Sequence, residues 1–83
     1  METIIHPLST EKSIRMMESE NMLVFIVKKS SKKAEIKKDI EETFKVKVDD
    51  VRTAILPDGR KKAYVKINKA NPAIDVATQL GMI

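Results

Sequence analysis

Apolar positions change their period several times along the chain, and each change marks a boundary. Ile4 and Ile5 open a short extended segment, and the His6-Pro7 step biases the backbone away from helix. Ser9 or Thr10 then offers an N-cap, and Glu11 falls in the first turn, where the helix dipole favours an anion. With the thin apolar stripe of Leu8, Ile14 and Met17, these residues predict a helix to about Glu18. Asn21 introduces Met22-Leu23-Val24-Phe25-Ile26-Val27, apolar at every position, as expected of a central strand covered on both faces. Ser30 and Ser31 offer caps for a second helix through Phe44, in which Ile36, Ile40 and Phe44 fall on one buried face.

Val46 and Val48 return the chain to extended form, Val51 to Leu56 reads as a strand, and Pro57-Asp58-Gly59-Arg60 turns it into Lys62 to Asn68. Asp-Gly is a strong hairpin signal because both residues tolerate the positive φ such turns need. Asn71-Pro72 starts a last helix and Gly81 stops it, with Ala73, Val76, Ala77 and Leu80 as its packing face. The predicted order is β-α-β-α-β-β-α, without repeats, low-complexity segments or linkers. Residues 1–83 read as a single α+β domain, a small, mainly antiparallel sheet with helices packed on it.

Size narrows the chemistry. A chain of 83 residues hides only roughly 60 to 65% of its unfolded surface, which leaves little room for a deep catalytic cleft. Cysteine is absent and His6 is the only histidine, so disulfides, thiolate nucleophiles and the usual metal clusters are excluded. The glycines, Gly59 and Gly81, lie too far apart for a phosphate-cradling loop, and no nucleophile elbow or triad spacing occurs. No enzymatic activity, metal or other cofactor is expected. The longest apolar run is too short to span a bilayer, and Met-Glu-Thr does not begin a signal peptide, so an intracellular setting without membrane insertion is expected.

Charge adds a candidate binding surface. Sixteen Lys and Arg against twelve Asp and Glu leave a net charge of +4, so the cations matter chiefly where they cluster. In the second helix Lys29, Lys32, Lys33, Lys37 and Lys38 precede Asp39, Glu41 and Glu42, the reverse of what the helix dipole favours. One reading is a solvated face with Lys37–Glu41 and Lys38–Glu42 pairs. The other is a phosphate footprint, in which lysines and free backbone N–H groups at the helix start hold a nucleic-acid backbone.

The strand leaving the hairpin begins Arg60-Lys61-Lys62, cations close enough to repel one another unless an anionic partner is present. Lysine also protects strand edges, which is the competing explanation for this cluster with Lys66 and Lys69. Alternation puts Ala63, Val65 and Ile67 on a buried face and Lys62, Tyr64 and Lys66 on the other. There Tyr64 either stacks on a base or ribose or packs beneath a helix.

Residues along the whole chain carry a family resemblance: His6-Pro7 followed by Ser9-Thr10-Glu11-Lys12, then Lys33-Ala34-Glu35-Ile36-Lys37, Phe44-Lys45-Val46-Lys47-Val48, Val51-Arg52-Thr53 and Lys61-Lys62-Ala63-Tyr64-Val65. In that order these blocks resemble the large-subunit ribosomal protein L-twenty-three family, and Val76-Ala77-Thr78-Gln79-Leu80-Gly81 is similar to its archaeal branch. The resemblance implies a cytoplasmic ribosomal protein that binds large-subunit rRNA beside the mouth of the peptide exit tunnel, among neighbouring ribosomal proteins. It further implies a share in the landing surface for nascent-chain factors, including the signal recognition particle and the protein-conducting channel.

Lys12, Lys33, Lys37, Thr53, Lys61, Lys62 and Tyr64 match family positions that lie against RNA, with Arg52 where the family often has Asn. Lys32, Arg60 and Lys66 complete the expected rRNA-binding set through their clustering. Glu11 matches a family position near the docking surface, although helix-dipole stabilisation explains it equally simply. Bacterial members carry a long hairpin extension into the tunnel, whereas the turn here is only Pro57-Asp58-Gly59-Arg60, so this chain is not expected to line the tunnel deeply.

Two other readings share the fold type. A free-standing module that stacks single-stranded bases on its sheet needs more aromatics than Phe25, Phe44 and Tyr64 supply, with Phe44 already in a helix core. A protein-interaction domain without nucleic acid would leave every lysine cluster as solvated surface.

Overall fold

Strand β2 (Met22–Val27) holds the interior of the sheet because every residue from Leu23 to Val27 is buried, which requires cover on both faces. In the computed structural model, which describes residues 3–81, the other elements are β1 (Ile4–Pro7), α1 (Glu11–Glu20), α2 (Lys33–Phe44), β3 (Val48–Ile55), β4 (Lys61–Ile67) and α3 (Ala73–Gln79). The strands run in the order β1-β2-β4-β3, each antiparallel to its neighbours.

The core lies on one side of this sheet. Leu23, Phe25 and Val27 of β2 and Ala63, Val65 and Ile67 of β4 meet Met17 of α1, Ile36, Ile40 and Phe44 of α2, and Ala73, Val76 and Ala77 of α3 in one apolar cluster. Val24 and Ile26 are equally buried but point the other way. On that second face the register places Val24 opposite Tyr64, Tyr64 opposite Arg52, and Lys66 between Met22 and Asp50.

α1 reaches both faces because β1 stops early. After Pro7 only Leu8 still bonds to β2, its N–H donating to the Val24 carbonyl at 2.9 Å, and α1 packs beside β2 from there. Thr10 caps this helix: its hydroxyl accepts the Ser13 N–H at 3.2 Å while Ser13 Oγ accepts the Thr10 N–H at 2.8 Å.

The start of α2 departs from expectation. Its N-cap is Lys32 rather than Ser30 or Ser31, and the cap bond runs from the Lys32 N–H to Glu35 Oε1 at 3.0 Å. Ser31 is buried, so it turns the chain inward before the helix begins. β3 starts at Val48, ahead of the expected Val51, because a register shift between Val48 and Asp50 interrupts the alternation from which a strand is read.

Left-handed backbone ends the first two helices, at Asn21 (φ 54°) and Lys45 (φ 57°). Asn accepts this conformation more readily than other β-carbon residues. The Asn21 carboxamide also donates to the carbonyls of Ile67 (2.9 Å), Asn68 (3.2 Å) and Asn71 (3.1 Å) and accepts the Ala73 N–H at 2.6 Å, the first of α3. Asn21→Ala is expected to lower stability by about 2–4 kcal/mol, since it strands carbonyls and a helix N–H together; urea denaturation measures this. Lys45→Gly is expected to raise stability by about 0.5–1 kcal/mol through relief of left-handed strain, read from the same transition.

Candidate nucleic-acid interface

Alternation along β4 sends Lys62, Tyr64 and Lys66 to the sheet face that α2 and α3 leave open. Arg52 joins them from β3, directly across from Tyr64, and Lys12 joins from α1. Between α1 and the strands lies an open hollow of about 410 Å³, lined by Lys12, Met16, Glu20, Met22, Arg52, Thr53 and Tyr64. Tyr64 is half-buried, sits across from Val24 and shares a recess with Ser13 and Met16 of α1, so one residue both closes the core and forms part of the wall. The Lys62 ammonium stands 5.3 Å from its ring centroid, a cation–π contact that fixes one side of the ring.

The remaining expected residues divide by location. Lys33 and Lys37 ride on α2 and Lys32 caps it, and Ile36 and Ile40 of this helix pack on the opposite sheet face. Lys33 and Lys37 border a shallow groove with Asp49 and Asp50 but form no ion pair with either. The Lys37–Glu41 and Lys38–Glu42 ion pairs do not form, and Glu41 instead accepts the Val48 N–H at 3.0 Å. Thr53 sits opposite Ala63 in the core-facing row. Glu11 pairs with Arg15 on the exposed side of α1, both side chains mostly in water.

The hairpin cations have partners within the chain. Lys61 donates its ammonium to the Ser31 carbonyl at 2.5 Å and to the Lys29 carbonyl at 3.4 Å, clamping the turn to the loop before α2. Arg60 pairs with Asp58 at 2.8 Å. Only Gly59 of the turn takes positive φ, 94°, so the glycine alone supplies the left-handed step. Arg52 reaches Asp50 at 3.2 Å but stays largely exposed. The side chains of Lys12, Lys66 and Glu20 have no ion pair or hydrogen bond among the described residues. Sequence reasoning did not assign Met16, Glu20 or Met22 to the site; for Met22 the signal was available in its alternation with Val24 on β2.

The Asp58 carboxyl is held below its ordinary 3.8 chiefly by the Arg60 backbone N–H, which donates to Oδ1 at 3.0 Å, and also by the guanidinium. A lowered folded-state pKa contributes stability that is present above the unfolded value and lost as pH falls through the folded one. The urea midpoint of the wild type should therefore decline below pH 4, and Asp58→Asn should show a shallower decline over the same window.

A protein-family model described as Ribosomal protein L23 matches residues 2–74. The large ribosomal subunit protein uL23 of the archaeon Caldivirga maquilingensis is 49% identical over 74 residues, which span 89% of this chain and 86% of that protein.

Proposed function

Because this chain belongs to the ribosomal protein L23 family, we propose that it is a structural constituent of the large ribosomal subunit, seated on large-subunit rRNA through the open face of its sheet. The observation that supports this face is the gathering of Lys12, Arg52, Lys62 and Lys66 around Tyr64 on the side that α2 and α3 leave bare. Phosphate oxygens answer such cations without reading sequence, which suits a protein whose task is to hold folded RNA in place. Lys32, Lys33 and Lys37 offer a second contact at the β3 edge, where the free N–H groups at the start of α2 add to their charge. Thr53 lines the hollow beside Arg52, while Arg60 and Lys61 are peripheral in this reading and hold the hairpin in shape.

The site on the subunit is the rim of the peptide exit tunnel. The β3–β4 turn is short enough to close on itself, the Leu56 N–H meeting the Arg60 carbonyl at 2.8 Å, so the chain has no arm there to send down a tunnel. Surfaces turned away from RNA, Glu11 among them, face nascent-chain factors such as the signal recognition particle and the protein-conducting channel. No helix among the described residues is long and apolar enough to cross a membrane.

The reading is tested by titrating fragments of large-subunit rRNA against an unrelated structured RNA of equal length over a range of salt. One fragment is expected to bind far more tightly, with steep salt dependence. Lys12→Ala, Arg52→Ala and Lys62→Ala are each expected to reduce the slope of log affinity against log salt by about 1. Unchanged slopes in all of these variants would overturn the assignment of the open face.

A further inference from the structure

We propose that the hollow beside Tyr64 receives a single unpaired RNA base, stacked on the tyrosine ring with its N–H edge turned to Glu20, and that guanine fits it best. The proposal rests on the rRNA-binding reading and adds what that reading lacks, a ligand for the hollow itself. Phosphate contacts alone do not explain this place. A surface built only for a sugar-phosphate backbone has no use for an apolar recess, whereas Met16, Met22 and Tyr64 supply three of its walls. Its volume, about 410 Å³, lies in the range of small-ligand sites, about 300–1,000 Å³.

The arrangement has a direction. Lys62 stands over the Tyr64 ring without lining the hollow, so the aromatic surface there is already held in place. Bases displaced from a helix stack on such rings, and a ring fixed beforehand loses little freedom when they do. Thioethers of Met16 and Met22 adapt to a flat heteroaromatic partner. Lys12 and Arg52 at the rim are placed for the flanking phosphates.

Glu20 is the anomaly that selects the base. A carboxylate in a cationic phosphate site repels the ligand unless it accepts hydrogen bonds from it, and Glu20 has no partner among the described residues. Guanine presents N1–H and an exocyclic amine side by side, matching the two carboxylate oxygens, while uracil offers one imino N–H flanked by carbonyl acceptors that the carboxylate repels.

The protein contains one tyrosine and no tryptophan, so its intrinsic fluorescence reports on this site alone. The probes are a ten-nucleotide uridine strand, the same strand with one central guanosine, and a blunt RNA duplex of equal length. The guanosine strand is expected to quench Tyr64 and to bind roughly tenfold more tightly than the all-uridine strand. Tyr64→Leu, which keeps apolar contact with Val24, is expected to weaken the guanosine strand by roughly tenfold or more, read by anisotropy of labelled RNA. Glu20→Gln at its exposed position is expected to shrink the guanosine preference severalfold even as both affinities rise. Equal binding of all three probes without quenching, but with steep salt dependence, would overturn the base site and leave the rRNA reading standing. Failure of every probe and of the rRNA fragments to bind would overturn both.

Discussion

The whole arrangement depends on one carboxamide. Asn21 ends α1 in a left-handed conformation, and its side chain ties that end to the last residue of β4, the following loop and the first free N–H of α3. Its own carbonyl accepts the Ile67 N–H at 3.0 Å. A residue that both reverses the chain and satisfies backbone groups from distant segments fixes where β2 begins relative to β4. The sheet register follows from that junction, and with it the row of residues that faces outward. Glu20 and Met22 flank Asn21, so the same reversal brings both to the hollow.

A helix-covered face and an open face then divide the labour between them. All three helices contribute buried residues to one cluster, which leaves the reverse of the sheet to be closed by side chains: Leu8, Met16, Lys62 and Tyr64 surround Val24. Leu8 and Met16 are apolar throughout, while Lys62 and Tyr64 are amphipathic, their apolar bodies covering the strand and their polar ends staying wet. Burial of Val24 therefore requires Lys62 and Tyr64 to lie where they do, and the proposed binding surface follows from closing the core. The tyrosine that seals the core is thus the same residue that the proposed interface would offer to RNA.

Local periods were legible in the sequence because they depend on few neighbours. The doubly buried β2, the Ile36–Ile40–Phe44 face of α2 and the outward turn of Tyr64 each follow from spacing alone. What escaped depends on contacts distant in the chain. The α2 cap lies at Lys32 because Ser31 is drawn inward, where its carbonyl meets the Lys61 ammonium across the fold. Asn21 reads only as a strand opener until α3 is placed beside it. The hollow was invisible for the same reason, since α1, β2, β3 and β4 each contribute a wall and the strand order β1-β2-β4-β3 is not written in any local pattern. The separation of the α2 lysines from the β4 cations likewise appears only once α2 is laid on the covered face.

The run Arg60-Lys61-Lys62 shows why counting adjacent cations misjudges a β-strand. Successive side chains point to opposite faces, so the strand itself separates charges that look crowded in sequence. Lys61 is satisfied by the carbonyls of Ser31 and Lys29, Arg60 is satisfied by Asp58, and Lys62 turns to the open face, over the Tyr64 ring. Repulsion within the run is thus relieved inside the fold, and an anionic partner is not needed to explain it. Lys12 of α1, Arg52 of β3 and the Lys62–Lys66 row of β4 support the proposed RNA face instead, since only the folded sheet brings these three elements onto one surface. Convergence from separate elements is the stronger sign of a ligand, because no local requirement of turn, cap or strand edge accounts for it.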